Sequence, residues 1–279
     1  MKKHRCTIII TLAFLAGLSV LLYPTVASYI NSGRQSRAVE SYHEAVRKLD
    51  ERDYSDLLGA ARVYNEALRG KAGRFRFSRA ELMEYMGLLN IAAGGVMGTL
   101  EIESINVRLP IYHGTSEAVL QIGAGHLEGT SLPVGGPGTH AGISGHRGLP
   151  SSILLTNIDR LAPGDTFLLR VLSEKLHYQI DRILTVDPDD MQEMEIAPDM
   201  DYCTLITCTP YGINSHRLLV RGFRVDAPRE DGGPDTVAPE AEGLSLSHVA
   251  VVVLAPILIV LLIVQAEWVL KKHGGIHSP

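Results

Sequence analysis

The sequence predicts a mainly β domain, a closed or nearly closed barrel, with helices before it and a membrane segment on either side. Three observations lead to this prediction. Two uncharged apolar stretches lie near the ends of the 279-residue chain, helical periodicity follows the first, and from Gly98 onward apolar residues alternate with polar ones. Many short alternating runs separated by glycine and proline turns are typical of closed β architectures.

The two uncharged stretches run over residues 7–30 and 249–266. Each is close to the roughly 17–25 residues that a helix needs to cross a bilayer. Basic residues beside a span favour the cytoplasmic side, so we expect both termini inside and residues 32–247 outside the cell membrane. Residues 25–27 also fit the small-residue site of a cleaved signal peptide, an alternative that leaves the domain extracytoplasmic. The basic flanking residues are Lys2, Lys3, Arg5, Lys271 and Lys272.

Helical periodicity occupies the region between the first span and the barrel. Apolar residues recur every three or four positions over residues 35–49 and again over 57–68, and a shorter helix is predicted over 79–90. A glycine-containing break at 70–73 separates the second helix from the third. We expect these helices to pack on the domain that follows.

Period-two alternation then predicts the strands, with a short helix over 151–161 between two of them. The acidic stretch rich in proline and glycine that follows is typical of a flexible linker. The predicted strand runs are 98–111, 139–144, 166–171, 176–186, 202–209 and 218–225. The predicted organisation is an anchor (1–31), a helical extension (32–97), a barrel domain (98–226), a linker (227–247), a second span (248–267) and a cytoplasmic tail (268–279).

Charge and cysteine usage restrict the function. A net charge of −5 without a basic stripe argues against nucleic acid as a partner. Of the three cysteines, Cys6 borders the first span, while Cys203 and Cys208 lie an odd number of residues apart on one predicted strand. Their side chains therefore point to opposite faces, which argues against a disulfide between them. We interpret Cys203 as a small buried hydrophobe and Cys208 as a working thiol.

Three residues at predicted strand ends could carry chemistry. Cys208 ends the strand Thr204-Leu205-Ile206-Thr207-Cys208, Arg217 begins the next strand, and His146 lies between glycines in Ser144-Gly145-His146-Arg147-Gly148. A thiolate is both a nucleophile and a leaving group, and an imidazole can donate and then accept a proton near neutral pH. A guanidinium cannot act as a base but can support an oxyanion. Together these residues predict a thiol acyl-transferase.

Other polar residues receive a structural interpretation. His140 and His146 lack the compact spacing of a zinc site, so we expect no metal. His216 alternates with Arg217 and is interpreted as structural, while Arg147 and Arg221 are interpreted as surface ion-pair partners.

Longer stretches of the chain resemble the sortases, and within them the pilus-assembling class C branch. The resemblance runs from about Gly98 to Val225. It rests on INVRLPIYHG (105–114), GHLEGTSLPVG (125–135), SGHRGLP (144–150) and the segment 204–222, which contains CTPYGINSHRLLVRG. The helices before the barrel and the second membrane segment are also similar to that branch.

The resemblance implies an eight-stranded sortase barrel with a Cys208–His146–Arg217 triad and no cofactor. Cys208 would attack the Thr–Gly bond of an LPxTG-like sorting signal on a pilin or another surface protein, and His146 would protonate the departing glycine amine. Arg217 would hold the substrate backbone and stabilise the oxyanion. A lysine amine of the next pilin would then resolve the thioester into an isopeptide bond.

One feature departs from that branch, whose members commonly carry an Asp-Pro-aromatic lid before the barrel. No Asp-Pro precedes Asp187 here, and the corresponding region reads Gly73-Arg74-Phe75-Arg76-Phe77. We therefore expect an open or differently closed site, without an acidic lid contact to Arg217. Phe75 or Phe77 would be at most a weak substitute plug.

Three alternatives remain open from the sequence. The same triad could attach surface proteins to a cell-wall peptide, with a different acceptor amine. Water could resolve the thioester, which would make the protein a membrane-tethered thiol hydrolase. A scaffold that merely binds surface proteins would keep its function after Cys208→Ala.

Overall fold

The structure is a computed structural model that describes residues 2–92, 94–149 and 152–227, together with Ile257 and Val260. Three helices precede the barrel: α1 (Lys2–Arg47), α2 (Glu51–Leu68) and α3 (Arg79–Gly87). A single turn of helix, α4 (Glu117–Leu120), lies between two strands. The predicted helices over 35–49, 57–68 and 79–90 thus correspond to the end of α1, to α2 and to α3.

Eight strands close into a mixed barrel, which confirms the predicted fold class. Strand β4 pairs in parallel with β7, and β7 pairs antiparallel with β8. The order around the barrel is β1-β2-β3-β4-β7-β8-β6-β5. The strands are β1 (Val96–Ile102), β2 (Val107–His113), β3 (Ala124–His126), β4 (Thr139–Ser144), β5 (Thr166–Val171), β6 (Glu174–Val186), β7 (Asp201–Thr209) and β8 (His216–Val225).

The alternating apolar residues fill the barrel interior. Leu100, Ile111, Ile143, Leu169 and Leu205 are fully buried and belong to one continuous core. A strand directs successive side chains to opposite faces, so the period-two pattern turns one face of each strand toward this core.

The helices pack on the barrel through buried polar contacts as well as apolar ones. On α1, the Tyr42 hydroxyl donates to the Met97 carbonyl at 2.9 Å and accepts from the Leu172 amide at 2.7 Å. On α2, the Asn65 side chain donates to the Leu132 carbonyl at 3.0 Å and accepts from the Leu132 amide at 2.7 Å. These bonds fix α1 and α2 to three separate barrel segments.

Two details differ from the sequence predictions. The prediction of a helix over 151–161 is wrong. The described residues of this segment form turns and a short 3-10 helix, Ile158–Arg160. Its apolar residues Leu155 and Ile158 are fully buried, and their spacing imitated a helix face. Strand β3 was missed because three residues are too few to display an alternation.

Residues 2–30 of α1 form a unit apart from the barrel unit. Within the described part of the chain, one helical stretch, Ala13–Arg47, is long and apolar enough to cross a membrane by length and composition. Of the second predicted span, 248–267, only Ile257 and Val260 are described. The predicted tail and the linker beyond Ala227 lie outside the described residues.

Candidate active site

Cys208 and Arg217 are brought together by strand pairing. They are register partners in the antiparallel pair of β7 and β8. Directly opposed residues of such a pair carry their side chains on the same face of the sheet. Both side chains are half-buried, so a thiol and a guanidinium lie side by side at an accessible edge of the barrel.

His146 reaches the same edge through the parallel pairing of β4 with β7. Ser144 is the register partner of Ile206, and the Gly145 amide donates to the Ile206 carbonyl at 3.0 Å. The Thr207 hydroxyl, itself buried, donates to the Gly145 carbonyl at 2.8 Å. Continuing this register by two residues sets His146 level with Cys208.

The three predicted residues line one cleft of about 290 Å³. Its base is apolar, because a buried cluster of Met194, Ile206 and Leu219 faces it. Its remaining walls come from the segments around Thr115–Leu120 and from the loop after β6. The lining residues are Thr115, Leu120, Leu127, Ser144, Gly145, His146, Val186, Pro188, Asp190, Met191, Met194, Ile206, Thr207, Cys208, Arg217 and Leu219.

Arg217 is oriented by the backbone of the loop between β7 and β8. Its Nη1 donates to the Asn214 carbonyl at 3.4 Å and to the His216 carbonyl at 3.2 Å. His216 lies 3.7 Å from the Asp187 carboxylate, on the rim of the site. The loop that follows Cys208 therefore also holds the guanidinium that lies beside it.

A carboxylate that the sequence analysis missed contacts His146. The Glu117 Oε2 lies 3.2 Å from the His146 Nε2, and the Glu117 Oε1 accepts a hydrogen bond from the Gln121 side chain at 3.0 Å. The hydrogen bonds from Gln121 and His146 lower the pKa of the Glu117 carboxyl, which keeps it ionised at neutral pH. No strand pattern marks Glu117, since it lies on the single turn α4.

Arg147 was interpreted as a surface ion-pair residue, and its burial departs from that interpretation. Its side chain is only 10% exposed and pairs with the Asp159 carboxylate. It also lies 3.4 Å from the Thr209 hydroxyl and 5.9 Å from the centre of the Tyr211 ring. Arg147 directly follows His146 and Thr209 directly follows Cys208, so this contact links the two segments that carry the histidine and the thiol. Arg221 does pair as expected, at 2.6 Å from Asp181.

The segment in place of the expected lid lies beside the cleft. Phe75 packs against the apolar cluster at the base of the cleft, and Arg74 donates to the Gly129 carbonyl at 3.0 Å and to the Met194 carbonyl. Phe77 instead packs against the main core, 6.0 Å from the Tyr85 ring. Of the two aromatic residues expected to be at most weak substitute plugs, Phe75 is therefore the one near the site.

His140 and Cys203 are both buried, and neither faces the cleft. His140 contacts the Glu195 carbonyl and the Thr204 hydroxyl, each at 2.8 Å, and burial lowers its pKa to about 4. Cys203 is completely buried and is a free cysteine, and burial raises the pKa of its thiol. Within residues 2–92, 94–149 and 152–227, no group of three His, Cys, Asp or Glu side chains could hold a metal ion.

A closed eight-stranded mixed barrel with a half-buried thiol in its cleft is the architecture of a sortase-type domain. Comparison with known proteins agrees with this class. The sortase domain family matches residues 100–225. The crystal structure of sortase C1 from Streptococcus agalactiae is 47% identical with a TM-score of 0.67, and the match covers 69% of this chain and 100% of that one.

Two further relatives are also similar to the chain. Sortase C from Streptococcus pneumoniae, whose structure informs on catalysis and pilin substrate specificity, is 42% identical with a TM-score of 0.62, covering 69% of this chain and 99% of that one. Sortase SrtE1 of Streptomyces coelicolor is 30% identical over 152 residues, which are 50% of this chain and 43% of that relative. The chain thus spans less than half the length of this curated relative. It belongs to the sortase family, whose members are cysteine transpeptidases, and its structural neighbours are class C sortases.

Proposed function

We propose that this protein is a membrane-anchored transpeptidase that cleaves an LPxTG-like sorting signal and joins pilin subunits through a lysine isopeptide bond. The observation that carries the proposal is the convergence of Cys208, His146 and Arg217 on one cleft of a sortase barrel. The link to pilins is supported by the similarity to sortase C of Streptococcus pneumoniae, which is itself associated with pilin specificity.

In the first half-reaction the Cys208 thiolate attacks the carbonyl carbon of the threonine in the signal. His146, as imidazolium, gives its proton to the departing glycine amine, so that a thioester and a neutral imidazole result. Arg217 lies directly across from Cys208 and offers its charge to the developing oxyanion.

In the second half-reaction an amine attacks the thioester carbon and the Cys208 thiolate departs. His146 accepts one proton from the lysine nitrogen and returns to the imidazolium form. Transfer to an amine requires the amine to compete with water, which a cleft that positions the acceptor can achieve. The apolar base formed by Met194, Ile206 and Leu219 supports this role because apolar side chains offer no hydrogen bonds to water.

The proposal includes an arrangement at the cell surface. Residues 1–31 would anchor the chain, residues 98–226 would carry the catalysis outside the membrane, and both termini would face the cytoplasm. The apolar stretch Ala13–Arg47 and the basic residues before it support this orientation.

The test uses the full chain in detergent micelles with a pilin domain that ends in LPxTG and an acceptor pilin. A lysine-linked dimer, seen by denaturing gel and mass spectrometry, is the expected product. Cys208→Ala should abolish it. Cys203→Ala removes a thiol from the same strand at a buried position away from the cleft, and this control should retain the product as long as it folds.

Products other than the lysine-linked dimer distinguish wall anchoring from hydrolysis. A thioester or cleaved signal without a dimer would overturn pilin joining and indicate wall anchoring or hydrolysis. Addition of a cell-wall peptide amine then separates these two, because only the anchoring enzyme would form an amide with it. Unchanged dimer formation in Cys208→Ala would overturn the thiol mechanism itself.

A further inference from the structure

The Glu117 carboxylate occupies an unusual place beside the proposed catalytic histidine. Its Oε2 contacts the His146 Nε2 at 3.2 Å, and its Oε1 is held by the Gln121 side chain at 3.0 Å. Two hydrogen bonds therefore fix the carboxylate, while its side chain remains 66% exposed. This ionised group is therefore exposed beside the cleft, between Thr115 and Leu120, which line it.

The second half-reaction requires that the acceptor lysine lose a proton close to the thioester. A lysine side chain has a pKa near 10.4, so the acceptor arrives as an ammonium group that cannot attack a carbonyl carbon. It must be held close to a base and lose a proton before it reacts. After the first half-reaction His146 is neutral and can serve as that base.

We propose that Glu117 is the docking point for the ammonium group of the acceptor lysine, which it holds next to His146. This inference rests on the proposed function and assigns a residue to recognition of the second substrate. The free surface of the carboxylate accepts the ammonium, and the imidazole beside it receives the ammonium proton at Nδ1, because Nε2–H, 3.2 Å from the carboxylate, donates to Glu117.

The docked ammonium transfers one proton to neutral His146 and becomes an amine. The amine nitrogen forms a bond to the thioester carbon, the carbon–sulfur bond breaks, and Cys208 leaves as thiolate. The new amide nitrogen releases its second proton to solvent. The products are the isopeptide, a Cys208 thiolate and a His146 imidazolium, which is the state that began the first half-reaction.

The acidic residues on the opposite rim are less suited to this task. The Asp187 carboxylate lies 3.7 Å from His216, and the Asp190 Oδ1 accepts a hydrogen bond from the Gln192 amide at 3.0 Å. These contacts direct both carboxylates to groups of their own loop and of β8. Glu117, by contrast, contacts the imidazole that must take the proton.

A purely structural role for Glu117 makes a different prediction. If the carboxylate only orients His146, its loss will slow acylation and every later step to the same degree. If it docks the ammonium, its loss will affect cationic acceptors more than uncharged ones. The two half-reactions must therefore be measured separately.

The test uses the full chain in detergent micelles, an LPxTG peptide as acyl donor, and two acceptors. Nα-acetyl-lysine amide carries the ammonium, and hydroxylamine is a small acceptor that is uncharged at neutral pH. For Glu117→Gln we expect the KM for the lysine acceptor to rise about threefold to fivefold, the upper part of the range for an exposed ion pair. Because Glu117 also contacts His146, acylation of Cys208 and the reaction with hydroxylamine can both change, but the kcat/KM for lysine relative to that for hydroxylamine should fall by the same factor as the KM rises. High salt should reduce the difference between the two enzymes because it screens the ion pair.

Asp189→Asn is the matched control, since Asp189 is exposed on the opposite rim and loses the same charge. The control should behave as the parent enzyme with both acceptors. Equal losses with lysine and hydroxylamine in Glu117→Gln, or an unchanged KM for lysine, would overturn the docking role while leaving the transpeptidase intact. A parent enzyme that forms the thioester but transfers it to neither acceptor would overturn the proposed function and the docking role with it.

Discussion

The hydrogen bond from Thr207 to Gly145 offers a direct test of how the site is assembled. It joins the residue before Cys208 to the residue before His146, at 2.8 Å, and the Thr207 side chain is 1% exposed. Thr207→Val keeps the shape of the side chain but removes the donor. Thr207→Ser keeps the donor and removes one buried methyl group.

The two variants should lose similar amounts of stability for different reasons. A buried carbonyl left without its partner costs about 1–3 kcal/mol, so Thr207→Val should lower the free energy of unfolding by that amount. Loss of one buried methyl group costs about 0.8–1.5 kcal/mol in Thr207→Ser. Urea unfolding of the full chain in micelles measures both values.

Their activities should differ much more. Without the bond, the backbone that carries His146 is free to shift relative to Cys208, and a shift of 1 Å can reduce a rate by roughly 100-fold. We expect acylation by an LPxTG peptide to fall at least about tenfold in Thr207→Val and less than about threefold in Thr207→Ser. Equal activity in the two variants would refute the view that this hydrogen bond positions the histidine.

Three further predictions concern the surroundings of the site. Asn65→Ala removes both hydrogen bonds to the barrel and should lower the free energy of unfolding by about 2–4 kcal/mol, measured by urea unfolding; a loss below about 0.5 kcal/mol would contradict the buried contact. Arg147→Met should lower the kcat for acylation about tenfold and leave the KM for the LPxTG peptide unchanged. An effect on KM alone would argue against a positioning role. Burial lowers the pKa of His126 and His140 to about 4, so the unfolded chain binds more protons than the folded one between pH 6.5 and 4. Stability should therefore fall over this window as the pH falls, by roughly 3 kcal/mol for each histidine, partly offset by Asp201, whose pKa is raised by burial. A urea midpoint that is the same at pH 7 and pH 4.5 would contradict this assignment.

The strands and the thiol were predictable from the sequence because their signals are local. Strands β4 and β5 have the predicted bounds, 139–144 and 166–171, since period-two alternation depends only on residues that are neighbours in the chain. The opposition of Cys208 and Arg217 follows in the same way from two strands joined by a short loop.

The contacts around the site were decided by the tertiary structure. The parallel pairing of β4 with β7 joins segments about sixty residues apart, and no local pattern specifies it. Glu117 reaches His146 from a single helical turn, and Arg147 becomes buried only because Asp159 and Tyr211 come from other segments. By itself the sequence determined which residues could perform the chemistry and which strand faces are apolar. Closure of the barrel decided which of those residues meet, because such long-range pairings depend on the burial of the whole core rather than on any one segment.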